Sequence, residues 1–185
     1  MNKKEIKAEV AELISGGLPK ADVFAKPTGQ GVKDYALARY IASYADPQRC
    51  RANQGHIRAV LVIAWLQVLI GVLVGFSIGS ETSPLGGLIV GGLVAGFALL
   101  FVFGFSKNKA FAYNAYLILA ITQIPRQFHG ISEEPTSTMI GLAIGLALLG
   151  YIWYVRSRLF PDFTFLWPRK ISGKYVFSDS PPGER

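Results

Sequence analysis

Charge is almost missing from the middle of this chain. Between residues 58 and 155 lie three long apolar stretches and one shorter one, and none holds an Asp, Glu, Lys, Arg or His in its interior. Proton relays, ion-coupled carriers and voltage sensors depend on ionisable groups buried in the membrane, so their absence argues against coupled transport. Cysteine is scarce as well. Cys50 is the only one, which excludes an intramolecular disulfide framework, and a cytoplasmic position would keep it reduced. Only two histidines occur, His56 and His129, and they are expected on opposite sides of a bilayer, where they cannot share a metal ion. His129 with Glu133, Glu134 and Glu81 lacks firm ligand spacing, so no metal is expected. Neither histidine has an evident orienting partner, no serine is read as the nucleophile of a strained elbow, and no glycine loop carries the Lys-Ser/Thr of a phosphate site. The sequence thus offers no catalytic residue and no cofactor, and a non-enzymatic protein is expected. An early apolar leader is also lacking, since the first fifty or so residues stay charged, and insertion is expected to rely on the first internal span. Neither end carries a lipidation box.

What is present is apolar bulk. Of 185 residues 51% are hydrophobic and 20 are glycine, which suits a bilayer better than water. The net charge of +7 does not point to nucleic acid, because the basic residues sit beside the apolar stretches, where they set orientation and meet lipid headgroups. The fold class predicted is an all-α membrane protein: a four-transmembrane-helix bundle with spans at about 58–79, 85–105, 110–124 and 138–155. The first covers roughly 30 Å at 1.5 Å per residue and the third only roughly 23 Å, unless its helix continues through Pro125. Four spans place Arg49, Arg51 and Arg58, then Lys107 and Lys109, then Arg156, Arg158, Arg169, Lys170 and Lys174 all on one side, and the other loops offer only Arg126. By the positive-inside rule both termini are then cytoplasmic in an inner (plasma) membrane, whereas three spans would put the basic C-terminal end outside.

Three parts follow: a cytoplasmic helical module at 1–46, a membrane domain at 47–156, and a cytoplasmic interfacial tail at 157–185. Within the module, Asn2 is expected to cap a helix through Ser15, ended by Gly16-Gly17. A short helix from Pro19 to Ala25 follows, then a turn at 28–31, and a third helix from Val32 to Tyr44 presenting Val32, Ala36, Leu37, Tyr40, Ile41 and Tyr44 on one face. Asp46-Pro47 should start a helix that runs unbroken into the membrane. In the tail, Phe160, Phe163, Phe165 and Trp167 are expected at headgroup depth. Pro168 to Gly173 reads as a turn and 174–177 as a short strand, giving a β-hairpin or an interfacial loop, with the chain loose from Ser178 on.

Glycines spaced four apart mark the spans: Gly71, Gly75 and Gly79; Gly87 with Gly91; Gly92 with Gly96; Gly141 with Gly145. Such strips let helix backbones approach closely in lipid, and they admit a homo-oligomer. The intramembrane polar residues Gln67, Asn114, Thr122 and Gln123 are expected to make interhelical hydrogen bonds. The partners expected are the lipid bilayer and a cytoplasmic or membrane protein, docked by the head to hold or stabilise a membrane assembly. An oligomeric channel or passive permease subunit lined by Asn114 and Gln123 is the alternative, and an immunity-type membrane protein a further one. The composition, with the run from Lys33 to Tyr44, resembles that of small bacterial inner-membrane proteins, a likeness that assigns no residue a role.

Overall fold

The computed structural model describes residues 3–26, 33–129 and 135–179. Asn2, the turn at 28–31, Val32, Glu133 and Glu134 lie outside the described residues, as does the side chain of His129. Eight helices and one small hairpin are described. Helix α1 (Lys3–Ser15) buries Ile6, Val10 and Ile14, one residue per turn, and is ended by Gly17 at φ +89°, a backbone conformation glycine enters without steric cost. Helices α2 (Lys20–Ala25) and α3 (Asp34–Ser43) follow. The buried stripe of α3 is Leu37, Ala38, Ile41 and Ala42, rotated from the face read in the sequence: Ala36, Tyr40 and Tyr44 are only half-buried. The Tyr40 hydroxyl explains part of this rotation, since it reaches out to donate to the Lys7 carbonyl at 3.2 Å.

Helix α4 (Pro47–Ala52) starts as its sequence suggests, with the Asp46 carboxylate accepting from the Gln48 amide at 2.8 Å and Pro47 in the first turn. It does not run unbroken into the membrane. Asn53 leaves helical geometry at φ −111°, its side chain donates to the Arg49 carbonyl at 2.8 Å, and a new helix α5 (Gln54–Ser80) begins beyond it. Helices α6 (Pro84–Ser106), α7 (Ala110–His129) and α8 (Pro135–Leu159) complete the helical part. Strands β1 (Lys170–Ile171) and β2 (Lys174–Tyr175) pair antiparallel, Lys170 opposite Tyr175 and Ile171 opposite Lys174. Their two-residue turn is Ser172-Gly173, both at positive φ, the geometry whose twist matches a hairpin.

Two compact units result, Met1–Asn53 with Trp153–Arg185, and Gln54–Ile152. Helix α8 contributes to both. The second unit is built from apolar helices whose outer faces carry Leu66, Leu69, Leu73, Leu93 and Leu100 in the open, a surface suited to acyl chains rather than water. Among the described residues three helices, α5, α6 and α8, are long and apolar enough to cross a bilayer, one fewer than predicted. Helix α7 has 20 residues and continues through Pro125, so its length suffices, but Asn114, Thr122, Gln123 and Arg126 dilute its apolar character.

The first unit has a core drawn from both ends of the chain. Val10, Ile14, Val23, Leu37 and Ile41 are buried in its N-terminal part, and Val155, Leu159, Phe160, Phe163, Val176 and Phe177 in its C-terminal part. Phe24 packs between Tyr175 and Phe177, with ring centroids 5.6 and 5.7 Å away. Phe160 and Phe163 are therefore core residues, not headgroup anchors, because the tail folds back on helices α1 to α3 and needs its larger rings for that contact.

Candidate functional site

At the centre of the first unit sits a buried ion pair that joins residues 142 positions apart. Pro19 ends the preceding turn and Lys20 opens α2, with its side chain turned inward and only 4% exposed. Its Nζ donates to Asp162 Oδ2 at 3.0 Å and to the Tyr44 carbonyl at 3.2 Å. Asp162 is 2% exposed and is held from several directions: its Oδ1 accepts from the Ser178 amide, and its carbonyl accepts from the Arg169 amide at 2.9 Å. The Lys20 amide donates to the Asp179 carboxylate, and Arg49 Nη2 donates to Ser178 Oγ at 2.9 Å. Ser178 and Asp179 are thus anchored rather than loose. Charge burial is tolerated here because each ion meets both its counter-ion and further hydrogen-bond partners.

The sequence did not point to this pair. One signal was there: Asp162 is the only acid between Glu134 and Asp179, isolated in a strongly basic tail. Beside it, Arg156 is buried, lies over the rings of Trp153 and Phe163 at 5.4 and 5.8 Å, and donates to the Phe165 carbonyl at 3.1 Å. A cavity of about 150 Å³ is lined by Arg169, Val176, Phe177 and Ser178, smaller than the roughly 300–1,000 Å³ usual for small-molecule sites. Cys50 is half-buried, and burial first, then the Asp46 carboxylate, pushes its thiol up, the direction opposite to that of an activated thiolate.

In the second unit the glycines divide. Gly71, Gly75 and Gly79 of α5 face α6, where a Cβ on Gly75 would meet the Gly91 Cα at 3.2 Å and one on Gly79 the Gly87 Cα at 2.8 Å. Gly87 and Gly91 return the contact, against Phe76 and Val72 respectively. Gly92, Gly96 and Gly141 have open space where a side chain would go, and Gly145 is half-buried. The run Gly75-Phe76-Ser77-Ile78-Gly79 has the letters of a nucleophile elbow, contrary to the expectation that no serine stands in one, but it lies in continuous helix with Ser77 exposed. The strained strand-to-helix turn that activates such a serine is therefore missing from this segment.

Polar residues are likewise sorted. Gln67 Nε2 on α5 donates to the Tyr116 hydroxyl on α7 at 2.7 Å, a partner the sequence did not suggest. Asn114 is buried at 5% exposure on the face of α7 that holds Tyr113 and Leu117, whereas Gln123 is exposed and Thr122 bonds back to the Leu119 carbonyl. His56 Nδ1 lies 3.1 Å from the Tyr151 hydroxyl. Replacing Gln67 by Leu is expected to lower stability by about 1 kcal/mol, the usual size of one interhelical hydrogen bond in lipid. Unfolding midpoints in mixed micelles measure it, and a midpoint equal to wild type would mean that the bond contributes nothing.

Among the described residues no group of three or more His, Cys, Asp or Glu is placed to hold a metal ion. Compared with known protein families, curated proteins and solved structures, the chain matches none.

Proposed function

We propose that this is a non-enzymatic, four-span protein of the inner (plasma) membrane with both termini cytoplasmic, whose two-ended extramembrane domain docks a cytoplasmic or membrane protein and stabilises a membrane assembly. The carrying observation is the Lys20–Asp162 pair, which fastens the first and last segments of the chain into one folded domain. A domain made from both segments supports placing them on one side of the bilayer, with an even number of crossings between them. Helices α5, α6 and α8 qualify by length and composition, and parity supports α7, whose 20 residues span roughly 30 Å, as the fourth. Positive-inside orientation supports the cytoplasmic side, since Arg49, Arg51, Lys107, Lys109, Arg156 and Arg158 all fall there.

Docking is supported by the domain's construction. The first unit gathers segments from both sides of the apolar helices in sequence, with the charged side of α1, including Glu5, Lys7, Glu9 and Glu12, turned to solvent. The polar groups of the membrane unit support internal packing over a solute path, since Gln67 is bonded to Tyr116. The open faces of Gly92 and Gly96 on α6 leave room for a second copy within the assembly.

Reporter fusions after Glu81, after Lys109 and at the C-terminus test the topology, with activity expected to read outside, inside and inside. A C-terminus reporting from outside overturns four spans. Crosslinking in native membranes, with identification of what is bound, is expected to recover one recurrent protein with the domain. Recovery of the chain alone as a monomer, in membranes and in mild detergent, removes the docking reading.

A further inference from the structure

Just past the end of α8 the chain makes a tight reversal. Phe163 bridges to Pro168, and the Thr164 amide donates to the Trp167 carbonyl at 2.9 Å, leaving Phe165 and Leu166 at the tip. The tip points back along the helix it has just left. The Phe165 ring lies 5.6 Å from that of Trp153, and Arg156 Nη2 holds the Phe165 carbonyl. Trp153 precedes the helix end at Leu159 by six residues, so the tip has returned by roughly 9 Å toward the apolar part of α8. Trp153 and Tyr154 are half-exposed at the basic end of this candidate span, the position where aromatic side chains mark the headgroup layer.

Trp167 is next to the tip and 60% exposed, and its ring is 6.2 Å from that of Tyr35 at the start of α3. Trp167 is the most exposed aromatic ring described in this unit, and with Tyr35 it forms an amphipathic pair of the kind enriched where a protein surface meets the headgroup layer. The surrounding charge says of what kind. Arg158, Arg169, Lys170, Lys174 and Lys33 are exposed; Asp34 is the exposed acid beside Tyr35, and Asp162, the only acid from 135 to 178, is buried against Lys20.

We infer that the reversal at 163–168, with Trp167, Tyr35, Lys170 and Lys174, is a membrane-surface site that seats the extramembrane unit on anionic phospholipid headgroups. The rings enter the interfacial layer and the lysines meet phosphate and glycerol headgroups bearing net negative charge. This rests on α8 being a span and not on partner docking, so loss of a protein partner leaves it standing.

The test uses the full chain in lipid nanodiscs, either of phosphatidylcholine or of phosphatidylcholine and phosphatidylglycerol in equal parts. The chain has three tryptophans, and Trp65→Phe with Trp153→Phe leaves Trp167 as the sole emitter while keeping a ring against Phe165. Trp167 is expected to emit at shorter wavelength in the anionic discs, to be quenched by lipids brominated near the headgroup, and to lose severalfold in quenching by neutral acrylamide. Lys170→Glu with Lys174→Glu should restore acrylamide access. Hydrogen exchange at the Thr164 amide of the unsubstituted chain should slow in the same discs. Equal acrylamide quenching in anionic discs and in detergent overturns the site, and equal protection in both kinds of disc overturns the choice of anionic lipid. Acrylamide quenching unchanged by the two glutamates overturns the assignment to those lysines.

Discussion

Asp162→Ala is expected to cost about 3–5 kcal/mol and to release the C-terminal segment from helices α1 to α3. Removing one member of a buried pair leaves the other charge uncompensated, and Lys20 at 4% exposure cannot recover its hydration without opening the domain. The same substitution also strips the Ser178 amide of its acceptor. Thermal unfolding of the purified chain and limited proteolysis near residues 169–178 measure the two effects. The double variant Lys20→Met, Asp162→Leu is expected to recover much of the loss, since no unpaired ion is then buried, although the Tyr44 carbonyl and the Ser178 amide remain without their partners. A single variant that melts and resists protease like wild type would show that the pair is not what fastens the two ends. The proposed topology would then lose its parity support as well.

Gly79→Ala carries the second largest expectation, a loss of about 1–3 kcal/mol from the membrane unit. The added methyl would collide with backbone, meeting the Gly86 carbonyl carbon at 2.7 Å and the Gly87 Cα at 2.8 Å, atoms that cannot rotate away. Helices α5 and α6 would have to separate near their connecting turn, where the Ser83 hydroxyl accepts from the Gly86 amide at 3.0 Å. Gly96→Ala on the same hairpin is the matched control: nothing lies within 4 Å of its added carbon, so stability is expected to stay level. Both are measured as unfolding midpoints in mixed micelles. Equal behaviour of the two variants would mean that the close approach of the helices is not maintained in a lipid-like solvent.

These two expectations rest on different kinds of information. Apolar length, the stop at Gly16-Gly17 and the helix start at Asp46-Pro47 follow from local chemistry and are legible without the fold, whereas the turn read over 168–173 shrinks to Ser172-Gly173 because Lys170-Ile171 pair as a strand. Backbone geometry at such positions depends on a few neighbouring residues: glycine permits positive φ, and an aspartate before proline caps the helix that follows. The helical class and the apolar spans α5, α6 and α8 were legible for the same reason, since a run of nonpolar side chains has one favourable solvent.

What the sequence could not rank was its own repetition and its own charges. Gly79 and Gly96 occupy equivalent letters in equivalent motifs, yet one touches a neighbouring backbone and the other faces open space, a difference set by which side of each helix meets its neighbour. Phe160 and Trp167 read alike as interfacial rings, and the packing of the tail against α1 to α3 buried one and left the other out. Nothing in the sequence pairs Lys20 with Asp162, because the segments that carry them lie 142 positions apart and meet only in the fold. Composition by itself thus determined that this is a helical protein made for a bilayer, because solvent preference is additive along the chain. Only the tertiary structure decided that its two ends form one domain, because a buried ion pair exists only where distant segments exclude water together.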